Sequence, residues 1–501
     1  MTPAANQFRA TRWIFLILFA AAILRIWGLN AHSLEHDELS SWRRANYPTL
    51  AESLEKGILV DNHPPLWPVL QFYNMKLVGE EPWQLRWHSA LFGLLSVWMT
   101  FLIGRRLYGR NHALAVAGMM AVLWAPVYYS NEARMYSLLV LTVLLSMHAW
   151  LLVYARFRDK QPVPFKHGLY LFAVSSLAVY THFFGVLFIA LLGFGSGLYL
   201  LFSGRAKRIL TLLAIFVPVV LVFLPYVPYV LAATGREWIA DPPSLIWYPR
   251  FLAWLMNKSW LLIVPVGLIF GAALWLMVRD ARARKRGEST PEIRRLSDSD
   301  WIVLVWMLGP YLVAAIQSYL STPVIFERNL LISMPGIYLG FTRAVEMLVP
   351  DPPKYRRAML VIVLIFLAHT LFVNRYHTTP QRHQFREAGA LVAQQMADAN
   401  PDSVMVIGSR GFPDYFNYYL ERYHSPVLVE FSTLDLFPAD TLAPIFDSLQ
   451  GIGELPPTVV HMVRDDSFKR NDEEWFAGYG YHVTWYERLH KMHVWRYDLE
   501  R

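Results

Sequence analysis

The feature that most constrains this chain is a series of apolar segments, each about 20 residues long, that recurs as far as residue 374. A segment of that length can cross a bilayer as an α-helix. Of the 501 residues, 55% are hydrophobic and only 17% are charged. A soluble domain typically has about 25% charged residues. The pattern predicts a polytopic α-helical membrane protein.

We expect about 11 spans. They are residues 12–29, 85–107, 112–129, 137–155, 168–181, 184–203, 209–231, 258–278, 301–320, 330–349 and 358–374. Lys and Arg are concentrated in alternate loops, and such loops are cytoplasmic in membrane proteins. The amino terminus is therefore predicted inside. The segments predicted outside are 30–84, 130–136, 232–257, 321–329 and everything after about 375.

Charge and cysteine content exclude several classes of function. The net charge is +8, but the basic residues stand at span ends, where topology explains them without a nucleic-acid partner. The chain contains no cysteine, which excludes disulfides, thiol nucleophiles and cysteine-ligated metals.

The sequence divides into a membrane domain, 1–375, and a carboxy-terminal domain, 376–501. Strand and helix patterns alternate in the second, among them a strand at Thr458–Val463 and a helix near Asn471–Gly478. This alternation predicts a small extracytoplasmic α/β domain. We assign it a role in choosing the acceptor rather than in chemistry. In the long loop 30–84, an amphipathic segment around Leu39 and Trp42 and a capping motif at Thr49–Glu52 predict two short interfacial helices.

Two polar motifs lie in that first external loop: His36-Asp37-Glu38 and Asp61-Asn62-His63-Pro64-Pro65. Ionisable groups beside hydrocarbon are costly and usually functional. Asp37 and Glu38 are therefore candidates for the general base that takes a proton from an attacking hydroxyl or amine, and the residues leave open which of the two acts. A solvated loop pair is the alternative. His63 is a candidate ligand of the substrate, although the prolines by themselves indicate only a stiff loop.

Further candidates stand at the outer ends of later spans. Arg134 and Arg328 both oppose the positive-inside trend, and a guanidinium suits an anionic phosphate. An ion pair with an acidic neighbour is the structural alternative for Arg134. The residues assigned to substrate binding are His63, Glu132, Arg134, Tyr136, His182 and Arg328. For His182, capping of a span end is the alternative.

These motifs together resemble those of the GT-C glycosyltransferases. They are the acidic pair after span one, His-Pro-Pro before span two, Glu-Ala-Arg-Met-Tyr after span three and Tyr-Thr-His-Phe-Phe-Gly after span five. The chain is most similar to the bacterial branch related to protein O-mannosyltransferases and to the aminoarabinose transferase of lipid A. The resemblance covers roughly residues 12–375.

The resemblance implies that a sugar is transferred, with inversion, from a polyprenyl-phosphate carrier to an acceptor on the outer face of the bacterial inner (plasma) membrane. Asp37 matches the family's catalytic acidic position, and Glu38 is its neighbour. Glu132 stands at a second acidic position. Arg328 stands where the family often has an Arg-Tyr pair, but Asn329 replaces the tyrosine here.

Some alternatives stay open at this level. A divalent metal ion is another source of positive charge beside the leaving phosphate; its candidate ligands are Asp37, Glu38, Glu132 and His63, whose spacing is not diagnostic. The acceptor is a lipid, a glycan or a protein. A transporter or flippase of a lipid-linked substrate is the main alternative function. It would more commonly show two similar halves, which are not evident here.

Overall fold

The computed structural model describes residues 3–61, 63–233, 242–433, 439–464 and 472–500. The predictions that involve Asn62 and Asn471, and part of the predicted loop 232–257, lie outside these residues. The described chain forms two compact units. The membrane unit consists of the residues up to Leu29, Tyr47–Gly79 and Gln84–Tyr376. The sheet unit consists of Asn30–Asn46, Glu80–Trp83 and His377–Arg501.

Up to residue 376 the described chain is mainly helical. Its helices are α1 (Pro3–Gly28), α2 (His36–Ala45), α3 (Leu50–Glu52), α4 (Leu66–Leu77), α5 (Pro82–Tyr108), α6 (Arg110–Val122), α7 (Trp124–Ser130), α8 (Tyr136–Arg158), α9 (Phe165–Thr181), α10 (Phe183–Phe202), α11 (Ile209–Phe223), α12 (Val227–Ala233), α13 (Trp247–Leu255), α14 (Trp260–Lys285), α15 (Asp298–Leu320), α16 (Met334–Leu348) and α17 (Pro352–Ala368). Single-turn elements include Ser53–Ile58, Asn329–Ser333 and His369–Val373.

The helices confirm a multi-pass membrane protein. Within the described ranges, seven helical segments are long and apolar enough to cross a bilayer. The pair α6 and α7, bent by 58° at their junction, is an eighth candidate. The remaining predicted spans also fall on helices, so their positions agree, whereas the total of about 11 stays a prediction.

Local sequence determines where several of these helices begin. The Ser297 hydroxyl accepts a hydrogen bond from the Asp300 backbone N (3.3 Å) at the start of α15. At the start of α17, Asp351 accepts one from the Lys354 N (3.1 Å). Such caps satisfy the backbone N–H groups that the first turn of a helix leaves without partners.

A buried arginine joins α1 to the junction of α6 and α7. Arg25 is 1% exposed. It donates to the carbonyls of Met120 (3.0 Å) and Ala121 (3.2 Å) and to the Ser130 hydroxyl (3.1 Å). Because α6 ends at Val122, its last carbonyls have no N–H donor within the helix, and the Arg25 guanidinium donates to two of them. Arg25 is thus a structural residue that pairs within the helical bundle.

The sheet unit contains a five-stranded mixed sheet. Its strands are β1 (Val404–Ser409), β2 (Val429–Thr433), β3 (Thr458–Val463), β4 (Tyr481–Leu489) and β5 (Met492–Leu499), in the order β2-β1-β3-β5-β4. Strand β1 is parallel to β2 and β3, whereas β5 is antiparallel to β3 and β4. The helices are α18 (Phe385–Gln395), α19 (Pro413–Arg422), α20 (Ala439–Ile452) and α21 (Asp472–Gly478). The predicted α/β class is confirmed.

The observed strands of the sheet unit agree closely with the strands predicted from the sequence. The strand predicted at Thr458–Val463 has those bounds, and every residue of it is buried, as is usual for a parallel strand inside a sheet. The prediction contained no counterpart of α20, whose helical pattern is interrupted by Pro444. Within residues 30–84, α2 and α3 correspond to the two predicted helices, and the Thr49 hydroxyl caps α3 by accepting from the Glu52 N (3.3 Å).

We predict that Arg25→Met lowers the temperature at which the purified protein unfolds in detergent. The substitution leaves the carbonyls of Met120 and Ala121 buried without this donor, at about 1–3 kcal/mol for each unsatisfied group. Arg105→Met, at an exposed position of α5, is the control. Equal unfolding temperatures for the two variants would show that Arg25 does not stabilise the junction.

Candidate active site

Helix α2, in the sheet unit, carries the predicted acidic pair in its first turn. Carboxylates are favoured there because the helix amino terminus presents N–H groups without helical partners. The Glu38 carboxylate turns back and accepts a hydrogen bond from the Glu35 backbone N (2.9 Å). This is half of a capping box, so the sequence from Glu35 to Glu38 fixes the Glu38 side chain locally.

A long-range ion pair occupies the same carboxylate. Arg382 Nη1 lies 2.8 Å from Glu38 Oε2, and the side chains are 1% and 0% exposed. A buried pair of this kind is sensitive to the loss of either partner, because the remaining charge is left in an apolar surrounding. Glu38 is therefore committed to a structural ion pair.

Asp37 has a different environment. Its side chain is 30% exposed, and its Oδ1 lies 3.6 Å from His36 Nδ1. Burial lowers the pKa of His36, only partly offset by the hydrogen bond with Asp37, and the charges of Arg464 and His383 lower it as well. At neutral pH the imidazole next to Asp37 is therefore uncharged. Of the acidic pair, Asp37 is the accessible carboxylate.

Glu35, the residue directly before α2, is a third carboxylate of this region and lies beside a histidine of the carboxy-terminal segment. Glu35 Oε1 lies 3.5 Å from His383 Nδ1. Burial alone would raise the pKa of Glu35, but the hydrogen bond from His383 and the charge of Arg382 outweigh burial and lower it. Glu35 is accordingly ionised near neutral pH, and the first turn of α2 carries negative charge next to Arg382.

The membrane unit holds a separate polar cluster around His182, at the break between α9 and α10. His182 is 4% exposed, and its Nδ1 accepts a hydrogen bond from the Phe184 N (3.1 Å), which caps α10. Burial is the largest reason that the pKa of His182 lies well below its ordinary value; the charges of His63, Arg134 and Arg328 lower it further. His182 thus caps the start of α10 through a backbone N–H group, rather than capping carbonyls at the end of a span, and the same residue has three basic neighbours.

His63 is held from two sides. Its Nδ1 lies 3.2 Å from the carboxylate of buried Asp61, and its backbone carbonyl accepts a hydrogen bond from the Tyr226 hydroxyl (2.7 Å). The imidazole rings of His63 and His182 have centroids 5.8 Å apart. The pair Asp61–His63 therefore forms one wall of the cluster.

The arginines belong to the same cluster. The Arg328 guanidinium lies 5.9 Å from the centre of the Tyr136 ring, and that ring lies 6.2 Å from the His182 ring. Arg134 is buried in the turn before α8, where its backbone N donates to the carbonyl of Glu132 (2.7 Å). Basic side chains that are partly shielded from water attract an anion more strongly than exposed ones do. The cluster therefore suits an anionic ligand.

Comparisons with known proteins agree with this geometry. Residues 62–231, about a third of the chain, match the family model of the dolichyl-phosphate-mannose-protein mannosyltransferases. The matched segment contains most of the cluster around His182. The chain is a membrane glycosyltransferase with the GT-C fold.

Solved structures share the fold of this glycosyltransferase over nearly all its length. ArnT from Cupriavidus metallidurans, in the apo state, is 14% identical with a TM-score of 0.60, and the match covers 97% of this chain and 98% of ArnT. The same enzyme bound to undecaprenyl phosphate matches with a TM-score of 0.59. The oligosaccharyltransferase of Archaeoglobus fulgidus is 11% identical with a TM-score of 0.53, over 90% of this chain and 67% of the other. No curated protein sequence matches significantly.

The glycosyltransferase distributes its predicted site residues over both units. His63, Arg134, Tyr136, His182 and Arg328 converge in the membrane unit, with Glu132 in the same turn as Arg134; Asp37 and Glu38 belong to the sheet unit. The candidate metal ligands are thereby divided between the units. Nowhere in the described ranges do three His, Asp or Glu side chains come together as a metal site, so we derive no step through a metal.

Several residues that make contacts with the predicted site residues were not identified from the sequence. Arg382 and His383 were not singled out, although Arg382 is predicted outside against the charge bias, the signal that had identified Arg134. Asp61 was noticed only as part of a motif, and its contact with His63 emerges from the loop geometry. Tyr226 contributes through its hydroxyl and has no sequence signal, because a tyrosine at the end of an apolar run is common in membrane helices.

We predict that His182→Asn unfolds at a higher temperature than His182→Ala. Asn can accept the hydrogen bond from the Phe184 N and is among the preferred capping residues, whereas Ala loses a cap worth about 1 kcal/mol. Both variants remove the ring, so their difference isolates the cap. Identical unfolding temperatures for the two would rule out a stabilising cap at this position.

Proposed function

We propose that the protein is an inverting glycosyltransferase that moves a sugar from a polyprenyl-phosphate carrier to an acceptor on the outer face of the bacterial inner membrane. The carrying observation is the cluster around buried His182. The rings of His63 and Tyr136 lie 5.8 and 6.2 Å from the His182 ring, and the Arg328 guanidinium lies 5.9 Å from the Tyr136 ring. ArnT, which shares the fold, has been solved with undecaprenyl phosphate, and this supports the same class of carrier here.

The membrane unit also offers room for the apolar part of such a carrier. An apolar cavity of about 340 Å³ lies between α8, α10 and α15, and its lining includes Met147, Phe188 and Trp306. At 1.5 Å per residue, Phe188 is about 9 Å along α10 from His182 and Met147 about 16 Å along α8 from Tyr136. A lipid chain in this cavity would continue from a phosphate held near the start of both helices.

In the proposed reaction, Asp37 takes the proton of the acceptor hydroxyl or amine as that atom attacks the anomeric carbon. The bond between the anomeric carbon and the carrier phosphate breaks, and the phosphate leaves with additional negative charge. Arg134 and Arg328 stabilise that charge more in the transition state than in the ground state. Inversion follows from a single displacement.

In this proposal, Glu38 and Asp37 have different roles. Glu38 accepts hydrogen bonds from the Glu35 N and from Arg382, and its side chain is fully buried, so it is poorly placed to receive a proton from an acceptor. Asp37 is partly exposed and lies next to an uncharged imidazole. A general base must reach the proton it abstracts, which favours Asp37.

We predict that Asp37→Asn lowers turnover on the order of 10²-fold or more, the scale of lost acid–base catalysis, while the unfolding temperature and the affinity for undecaprenyl phosphate stay unchanged. Turnover is measured as undecaprenyl phosphate released from a bacterial lipid extract that contains undecaprenyl-phosphate sugars. Glu38→Gln is the matched comparison. Unlike Asp37→Asn, it should lower the unfolding temperature. Near-normal turnover of purified Asp37→Asn would exclude Asp37 as the base.

We predict that Arg134→Ala and Arg328→Ala each weaken binding of undecaprenyl phosphate and slow transfer together. Lys at either position should restore only part of both, since it lacks the planar two-pronged donor of Arg. Binding is followed by the rise in unfolding temperature on adding undecaprenyl phosphate. Lys56→Ala, at an exposed position of the membrane unit, is the control. Carrier affinity equal to that of the control in both Ala variants would place the phosphate elsewhere.

A further inference from the structure

The buried pair of Glu38 and Arg382 constrains Asp37, the residue before Glu38. Glu38 Oε2 accepts from the Glu35 backbone N (2.9 Å) and from Arg382 Nη1 (2.8 Å). One oxygen of the Glu38 carboxylate therefore connects the residue directly before α2 to a side chain 344 positions after Glu38. Because Asp37 lies between Glu35 and Glu38, this connection fixes the backbone that carries it.

The segment that precedes α2 is held by other contacts, which do not involve Asp37. The Arg386 backbone N donates to the Ser33 hydroxyl (3.0 Å), and the Leu34 N donates to the Tyr419 hydroxyl (2.8 Å). Both lie before the helix begins and do not involve Arg382. Loss of the Arg382 side chain therefore leaves the segment attached, with Glu35 still beside His383, and removes the ion pair that holds Glu38 in the first turn.

A second ion pair joins α2 to the same part of the chain but differs in exposure. Arg43 Nε lies 2.7 Å from Asp414 Oδ2, with side chains 42% and 52% exposed. Water and salt screen such a pair, whereas the buried pair of Glu38 and Arg382 is screened much less. The chain thus contains a matched control at the other end of the helix.

We propose that Arg382 is a positioning residue for catalysis: by binding Glu38 it holds the first turn of α2 so that Asp37 is oriented to act as the base. This rests on the proposed function of Asp37. It gives the segment after residue 376 a part in turnover as well as the expected part in acceptor choice. Arg382 itself touches no reacting atom.

The test compares purified full-length Arg382→Met, Arg382→Lys, Glu38→Gln and the double variant Glu38→Gln/Arg382→Met, with Asp414→Asn as control. Turnover is followed as undecaprenyl phosphate released from the lipid extract, and carrier binding as the thermal shift with undecaprenyl phosphate. Arg382→Met should lower kcat about 10-fold to 10²-fold, the range expected when a catalytic group is misplaced by about 1 Å. The apparent KM and the carrier affinity should stay within about 2-fold, because the phosphate contacts are untouched.

Two variants separate positioning from a general loss of structure. The double variant should turn over faster than Arg382→Met but more slowly than the parent, because it contains neither an uncompensated buried charge nor the constraint. Arg382→Lys should lie between Arg382→Met and the parent. If Arg382→Met does not fold, the double variant decides: reduced kcat with unchanged KM supports the inference, and parental kcat overturns it.

Several results would overturn the inference. They are parental kcat in Arg382→Met, a rise in apparent KM as large as the fall in kcat, and a double variant no faster than Arg382→Met. Asp37→Asn, assayed alongside, distinguishes the two levels. Normal turnover of Asp37→Asn would mean that the proposed function of Asp37 fails, whereas an inactive Asp37→Asn beside a normal Arg382→Met would overturn only the role of Arg382.

Discussion

A guanidinium in an apolar surrounding needs acceptors at fixed positions, and this requirement shapes both units of the protein. In the membrane unit, Arg25 donates hydrogen bonds to carbonyls at the end of α6 that have no N–H partner within the helix. In the sheet unit, Arg382 satisfies Glu38 at the start of α2. Each arginine connects segments distant in sequence, and each interaction is steep in distance because the local dielectric is low. The positions of the junction between α6 and α7 and of the acidic helix depend on these contacts.

The same physics separates the two adjacent carboxylates. Glu38 points to Arg382 and is fully buried, whereas Asp37 stays partly exposed beside His36. Residues next to each other in a helix point about 100° apart, so one member of the pair can be structural while the other stays accessible. In the membrane unit, the cluster around His182 brings His63, Arg134 and Arg328 together. In the proposed function, Asp37 acts as the base and the cluster binds the anion.

Much of the fold could be predicted from the sequence because its signals are local. Apolar runs of about 20 residues and caps such as Asp351 mark helices, and the strand Thr458–Val463 was predicted with its observed bounds. The missed helix α20 has a proline inside it, which weakens the local signal. The grouping of Asn30–Asn46 with the carboxy-terminal segment could not be predicted, because it depends on contacts such as Leu34 with Tyr419 across 385 positions.

The sequence alone determined that the chain spans a membrane, that it ends in an α/β unit, and that His63, Arg134, His182 and Arg328 are candidates for one function. Hydropathy, capping and charge bias are properties of neighbouring residues, so they can be read directly. Only the tertiary structure decided that Glu38 is held by Arg382 and that His182 is both a helix cap and the centre of a cationic cluster. Those outcomes depend on which distant side chain fills the space beside a buried group, and no local pattern encodes that choice.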